Sequence, residues 1–330
     1  MARRLVPGVA LLLGLGLVAR GISTIVPAAN YLIVTILLGL VVGNTYGVPD
    51  WAQAGVATHK QWLEAGIVVM GASVAIDRVV AAGPTLVLLV LATVTITIIV
   101  VELLARFVFD INEETGSLLA AGSGICGVSA VVAIAESIDV DETRIAYAAA
   151  TVLLFDAAMV FVYPLVGHAL DLSSTVFGVW AGLTMFSTGP VTAAGFAFSD
   201  TAGEWSVLVK LTRNATIGLA AIAYAVYYAR RGRAAGVEGH GLGYLWERFP
   251  KFILGFLGTM LVANLGLLSA GQVTSLANAS DWAFLLAFAG LGMGIQLDEL
   301  RSTGYRPVLT VLIGLVLVAT TMLFVVRALF

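Results

Sequence analysis

Eleven apolar runs alternate with short polar stretches along this chain, at residues 5–19, 29–43, 62–77, 83–106, 117–135, 142–168, 174–198, 203–229, 249–270, 280–297 and 305–329. A membrane-spanning helix needs about 20 mainly apolar residues, and most of these runs come near that length. The longest polar connections, 44–61 and 230–248, hold fewer than 20 residues each. No soluble domain fits between the runs. The pattern predicts an all-α polytopic membrane protein of about ten or eleven transmembrane helices.

Composition closes the other classes. Of 330 residues, 60% are apolar and 11% charged, against about 25% charged in a soluble domain. Mean hydropathy is +1.01. A net charge of −3 lacks the basic excess of a nucleic-acid binder, and the apolar content excludes a disordered chain. The single cysteine, Cys126, rules out an internal disulfide. His59, His168 and His240 fall near segment ends, and no His, Cys or carboxylate group has metal-ligand spacing. No metal or other cofactor is expected.

The charges at segment ends set topology. Arg3 and Arg4 before the apolar stretch 9–19 resemble a signal peptide, but no small-residue cleavage site follows, so the segment reads as a retained first span. The strongest basic cluster, Arg230, Arg231, Arg233, Arg248 and Lys251, should be cytoplasmic. Counting back puts the N-terminus on the same side, in a prokaryotic cell membrane. The loop with Arg301 and Arg306 also falls inside, and Phe330 outside.

The chain repeats itself. Met70-Gly-Ala-Ser-Val-Ala-Ile-Asp77 with Gly83-Pro84 is echoed by Met293-Gly-Ile-Gln-Leu-Asp298 with Gly304 and Pro307, and Asn44 by Asn264. Ala19-Arg20-Gly21 against Ala229-Arg230-Arg231 extends the echo. Seven segments separate the copies, and an odd number means opposite directions through the membrane. Inverted repeats of this kind characterise secondary transporters whose sites lie near the midplane. The organisation expected is one integral unit over 1–330, with a first repeat arm at 5–106, an interrupted-helix region at 117–198 and a second arm at 203–329.

Two segments carry helix breakers at mid-length. Ala120-Ala-Gly-Ser-Gly-Ile-Cys-Gly-Val-Ser-Ala130 places Gly122, Gly124 and Gly127 within six residues, each costing a helix about 1 kcal/mol relative to Ala. In Phe186-Ser-Thr-Gly-Pro-Val-Thr-Ala-Ala-Gly195, Pro190 removes a donor and should break the helix near Gly189. Unwound backbone inside a bilayer is tolerated where it is buried in protein or lines a wet cavity, and a half-helix N-terminus there is a ready anion site. Ser123, Gly124, Cys126, Gly127 and Ser129 at the first break, with Ser187, Thr188, Gly189 and Thr192 at the second, are the candidate substrate-binding residues. A small-residue packing face is the plainer alternative for the first.

Three charges sit inside spans, where ionisable groups are costly and mark function by default. Asp156 lies mid-segment with no opposite charge in helical reach, so its partner must come from another segment; a proton or counter-ion role suits it. Lys210, Arg213 and Asn214 share one helical face by their spacing, which suits an anionic substrate or an answer to Asp156; snorkelling to the near interface is the plainer alternative, easier for Lys210 than for Arg213. Glu102 and Arg106, four apart near a segment end, read as an interfacial pair.

Several of these stretches resemble the YeiH-type sulfate exporter family over essentially the whole chain. They are the motif 122–133, the Val209-Lys-Leu-Thr-Arg213 run, Phe252-Ile-Leu-Gly-Phe-Leu, and Met293-Gly-Ile-Gln-Leu-Asp-Glu-Leu-Arg with Arg306-Pro307. That resemblance implies a fold close to bile acid, arsenite and riboflavin transporters and to sodium–proton antiporters, with core and scaffold domains, often as a homodimer. It departs from the family at 184–195, where a His and an acidic residue are expected and this chain has neither, and at Asp156, where a neutral residue is expected. The count makes segments 117–135 and 174–198 parallel, whereas the resembled fold crosses them in opposite directions; a re-entrant segment or a miscounted one would reconcile the two. The function expected is not enzymatic, since the polar residues at depth form no nucleophile–base set. It is secondary transport of a small anion such as sulfate, a sulfonate or a carboxylate, coupled to a proton or sodium. A sodium–proton antiporter and an anion channel are the alternatives.

Overall fold

The computed structural model describes residues 2–26, 30–74, 76–138, 140–231, 251–296 and 304–330, and every regular element among them is helical. Arg233, His240, Arg248, Asp298 and Arg301, and the side chains of Arg3, Arg4 and Asp77, lie outside the described residues. Among the described residues, five helices are long and apolar enough to cross a membrane: Leu5–Ile25, Gly83–Val108, Glu142–Ala169, Ala270–Gly294 and Tyr305–Leu329. The chain divides into two compact units, one formed by 1–83, 192–204 and 251–297, the other by 84–191, 205–250 and 298–330.

The first unit holds α1 (Ala2–Ile25), α2 (Tyr31–Thr45), α3 (Asp50–Val56) and α4 (His59–Met70), with two helices from the distant repeat, α13 (Phe252–Asn264) and α14 (Ala270–Gly294). Its core gathers Leu12, Ala52, Val56, Leu286, Ala289 and Met293. The first segment is thus built into the fold. Gly8 of α1 faces Gly55 of α3 so closely that a Cβ on either would fall within the other's backbone.

The sequence echo has a structural counterpart in this unit. Asn44, at the end of α2, donates from Nδ2 to Ile295 O (2.7 Å), just past the end of α14. Asn264, at the end of α13, donates to Val74 O (2.8 Å), just past the end of α4. Each amide also holds its own helix, at Leu40 O and Met260 O, both at 2.8 Å. The two echoed asparagines therefore do the same work in opposite copies: each clamps the unwound strand that carries the other half of the echoed motif.

The second unit is built on four long passages: α5 (Ile76–Leu103, entering this unit at Pro84), α8 (Glu142–Ala169), the pair α11 (Asp200–Asn214) and α12 (Ile217–Ala229), and α15 (Tyr305–Leu329). Between them lie two pairs of short helices, α6 (Glu113–Gly124) with α7 (Val128–Ile138), and α9 (Ser174–Thr184) with α10 (Thr188–Phe198, of which 188–191 belong to this unit).

Both pairs are hairpins. Arg106, beyond α5, pairs with Glu113 at the start of α6 at 2.6 Å, and Arg144 in the first turn of α8 pairs with Glu114. The stretch 113–138 therefore enters and leaves by one face. A methyl on Gly122 would meet Val131 Cγ2 at 2.8 Å, whereas a continuous helix would separate these residues by about 14 Å. Arg231 and Tyr227, at the end of α12, join Glu113 on that face, and Tyr147 of α8 lies against Gly304 at the start of α15.

The second hairpin enters from the opposite face, where α15 ends. Arg327 Nη2 donates to Leu170 O (2.5 Å) before α9, and Trp205 in α11 packs on Phe330, centroids 6.3 Å apart. Gly182 of α9 packs on Val209 and Met185 O reaches Arg213, so α9 runs parallel to α11. The start of α10 runs antiparallel, with Thr188 beside Asn214 and Val191 O taking Ser206 Oγ at 3.4 Å. The parallel directions obtained by counting segments are thereby corrected: both interrupted segments turn back, and their first arms run in opposite directions.

Candidate functional site

Helices of 12 and 11 residues reach roughly 17 Å, about half the depth of a hydrocarbon core. The hairpin tips, at 125–127 and 185–187, therefore meet in mid-membrane. They touch at Gly127 and Ser187. Gly127 has φ +72°, the left-handed region that glycine tolerates best, and a Cβ there would overlap Ser187 Oγ.

A helix C-terminus leaves its last carbonyls unpaired and carries the negative end of the dipole. Here two such ends, of α6 and α9, converge among buried residues. Lys210 and Arg213 of α11, both fully buried, answer them. Lys210 Nζ donates to Ile125 O at 2.7 Å, to Met185 O at 3.1 Å and to Phe186 O. Arg213 donates from Nε to Gly124 O and from Nη1 to Met185 O, both at 2.7 Å, and from Nη2 to Ser123 O. Each cation bridges both hairpins. The shared face seen in the sequence is real, but its donors are directed at backbone carbonyls.

Asp156 does the opposite job at a helix N-terminus. It is 3% exposed and sits 14 residues into α8, roughly 21 Å along the helix axis. Its Oδ1 accepts from Ser187 N (3.0 Å) and its Oδ2 from Ser187 Oγ. A Cβ on Gly127 would lie 3.5 Å from Oδ2, so Asp156 meets both tips. The partner from another segment is thus Ser187, not a cation. No ion pair within 4 Å joins Asp156 to Lys210 or Arg213 among the described residues.

The remaining candidates divide. Asn214 Nδ2 donates to Thr188 Oγ1 (2.9 Å), and its buried Oδ1 has no partner among the described residues. Ser129, on the first turn of α7, is exposed, and Ser187 and Thr188 are half-buried, their hydroxyls engaged by the buried Asp156 and Asn214. Ser123 turns its hydroxyl back to Leu119 O (2.7 Å) and offers the site only its carbonyl. Cys126 is a buried free thiol. Gly189 is buried beside Thr188 in the first turn of α10, and the buried Thr192 belongs to the other compact unit.

A polar cluster at the base of the first hairpin went unread apart from its Glu102–Arg106 pair, which holds at 2.6 Å. Ser117 Oγ donates to Glu102 (2.7 Å) and lies 3.0 Å from Tyr228 Oη. Tyr224 Oη donates to Glu102 (2.9 Å), and Arg106 also reaches Tyr227 Oη (2.8 Å). The tyrosines recur along α12 at positions 224, 227 and 228, on one helical face. That spacing was the available signal.

A model of the family described as Conserved hypothetical protein 698 matches residues 7–311. A UPF0324 membrane protein of Nitratidesulfovibrio vulgaris is 31% identical over 275 residues, 82% of this chain and 76% of that one. One of Bacillus cereus is 32% identical over 289 residues, covering 86% and 82%. One of Clostridium tetani is 29% identical over 259 residues, covering 76% and 75%. No solved structure matches.

Proposed function

This chain belongs to the Conserved hypothetical protein 698 family of membrane proteins, and from that premise we propose that it is a secondary carrier of a small anion, as in the sulfate exporters it resembles. The observation that carries this reading is the meeting of two oppositely directed hairpins at a centre with two buried cations and one buried carboxylate. Counted in their charged forms, the buried Lys210 and Arg213 against Asp156 leave one positive charge over, and charge in a low-dielectric interior attracts an anion strongly. The N-termini of α7 and α10 open beside it, and Ser129 and Thr188 hydroxyls border them. Each hairpin enters from its own face, so withdrawal of one hairpin opens the tips to that face alone, which is the requirement for alternating access.

A sodium site, as in an antiporter without an anionic substrate, would need several free oxygen ligands. The carbonyls at the tips are instead engaged by Lys210 and Arg213, which favours the anion. The face carrying Arg106, Arg144 and Arg231 would be cytoplasmic by the positive-inside rule, in a prokaryotic cell membrane, and a homodimer is the assembly the resemblance implies.

The test is uptake of radiolabelled sulfate, with taurine and small carboxylates as comparators, by the purified protein in liposomes under a pH gradient. Saturable uptake that Lys210→Ala and Arg213→Ala each abolish is the expected result. Unchanged flux in both variants would sink the reading. Non-saturating flux far above the μs–ms conformational limit of a carrier would indicate a channel.

A further inference from the structure

The N-terminus of α10 is the natural seat for a substrate anion, yet an anion already occupies it. Asp156 takes both donors that Ser187 presents there, the backbone N–H at 3.0 Å and the hydroxyl. Its carboxylate is held on a helix of 28 residues, so it cannot drift away; it can only rotate or change charge. We infer that Asp156 is a tethered competitor for the substrate's own place: an anion engages Ser187 only when Asp156 has taken up a proton and released it. The inference rests on the anion-carrier reading and adds to it the identity of the coupling step.

The surroundings fit a site that exchanges one internal anion for one external one. The groups facing Asp156 are Ser187 from the second tip, Lys210 and Arg213 from α11, and the Cys126 thiol and Gly127 from the first tip. The described ionisable groups of α15, Tyr305, Arg306 and Arg327, lie at its two ends, and Glu136 of α7 lies at the end away from the tip. Lys210 and Arg213 cannot leave to follow an anion, because the carbonyls of Ser123, Gly124, Ile125, Met185 and Phe186 hold them. Of the three buried groups, the one not anchored to backbone carbonyls is therefore Asp156. In the proton step the carboxylate takes H⁺ from solvent and becomes a carboxylic acid. Its pairing with Ser187 N–H and Oγ–H is lost, which frees those two donors, and the buried Asn214 Oδ1, without a partner among the described residues, lies in the same centre beside Thr188. Substrate oxygens then take over the Ser187 donors. Proton and anion arrive together and leave together.

The experiment measures proton uptake on addition of sodium sulfate to the purified full-length protein in weakly buffered detergent solution, together with sulfate affinity across pH 6–9. Wild type should take up about one proton per sulfate bound, with affinity falling about tenfold per pH unit on the alkaline side, as linkage requires for one coupled proton. Asp156→Asn should bind sulfate with no proton uptake and an affinity flat with pH. In liposomes it should exchange labelled for unlabelled sulfate but not accumulate it under a pH gradient. Should Asp156→Asn fail to fold, judged by thermal unfolding, Asp156→Glu carries the test: it must retain the proton uptake with a displaced pH profile. Proton uptake or pH dependence that survives in a folded Asp156→Asn protein overturns the inference and leaves the carrier reading standing. If neither sulfate, taurine nor small carboxylates bind or move in wild type, the carrier reading falls and this inference with it.

Discussion

The two hairpins are alike at their tips and unlike at their bases. At the tips both first arms end in carbonyls bound by the same two cations, Lys210 and Arg213. At the base of α6–α7 the contacts are ionic: Arg106 with Glu102 and Glu113, Arg231 with Glu113, Arg144 with Glu114. Before α9, Arg327 donates to the Leu170 carbonyl and Trp205 packs on Phe330, and along α9 itself the contacts are aromatic. Trp180 stacks on Tyr163 (4.3 Å), meets Phe177 edge-on (6.1 Å) and donates from Nε1 to Ala319 O (2.8 Å). Tips that serve one centre must share its chemistry. The bases face opposite sides, and nothing requires the two sides to be held in the same way. A carrier built so would open one side against charge and the other against packing.

The largest effect should come from the group common to both hairpins. Arg213→Ala strips the donors from Ser123 O, Gly124 O and Met185 O at once. Hydrogen bonds to a charged group contribute about 1.5–3 kcal/mol each, so the loss should be at least about 3 kcal/mol, seen as a fall in thermal unfolding midpoint and as loosening of both tips in hydrogen exchange. Loosening confined to one hairpin would break the proposed equivalence of the tips. Next comes Gly127→Ala. It forces an L-residue into φ +72° and drives a methyl onto Ser187 Oγ, at a cost of about 1–3 kcal/mol. Its effect on sulfate affinity should exceed its effect on stability, because it displaces the Ser187–Asp156 contact.

The bases are separated by salt. Glu113→Gln removes the negative charge shared by Arg106, Arg231 and Tyr227 and should destabilise by about 1–2 kcal/mol, a difference that shrinks in 1 M salt because partly exposed ion pairs are screened. Trp180→Leu should cost a similar amount or more through lost packing and show no such dependence. Equal salt responses in the two variants would erase the distinction between the bases.

How much of this was legible follows the same division. The breaks at Gly122, Gly124, Gly127 and Pro190 were visible, because glycine and proline act on backbone wherever they stand. Whether a broken segment crosses or turns back was not, since about 23 apolar residues read alike as one span or as two half-depth arms. That choice is fixed by contacts at the segment ends, Arg144 with Glu114 and Arg327 with Leu170 O, between residues far apart in sequence. The face shared by Lys210 and Arg213 was visible too. Their partners were hidden, because backbone carbonyls carry no residue-type signature. Asn44 and Asn264 could be paired from the sequence for the converse reason: a polar side chain at equivalent ends of two apolar runs has few uses other than capping a neighbour.

The smallest effect should come from Arg144, the outermost member of the ionic base. Its side chain is 38% exposed, and it bridges Glu114 to Asp141 of its own first turn at 3.1 Å. Exposed ion pairs contribute about 0–1 kcal/mol, and Asp141 keeps its capping bond to the Arg144 backbone N–H (3.1 Å) whatever the side chain. Arg144→Ala should therefore move the unfolding midpoint by about a degree or two. It removes an ion pair between α8 and the hairpin α6–α7, so its influence should appear in rates. If the ionic base is the latch on that face, sulfate exchange in liposomes should become less sensitive to salt in Arg144→Ala while binding affinity stays fixed. A shift in affinity with no change in the salt response would place Arg144 within reach of the tips, contrary to its position one helix length away.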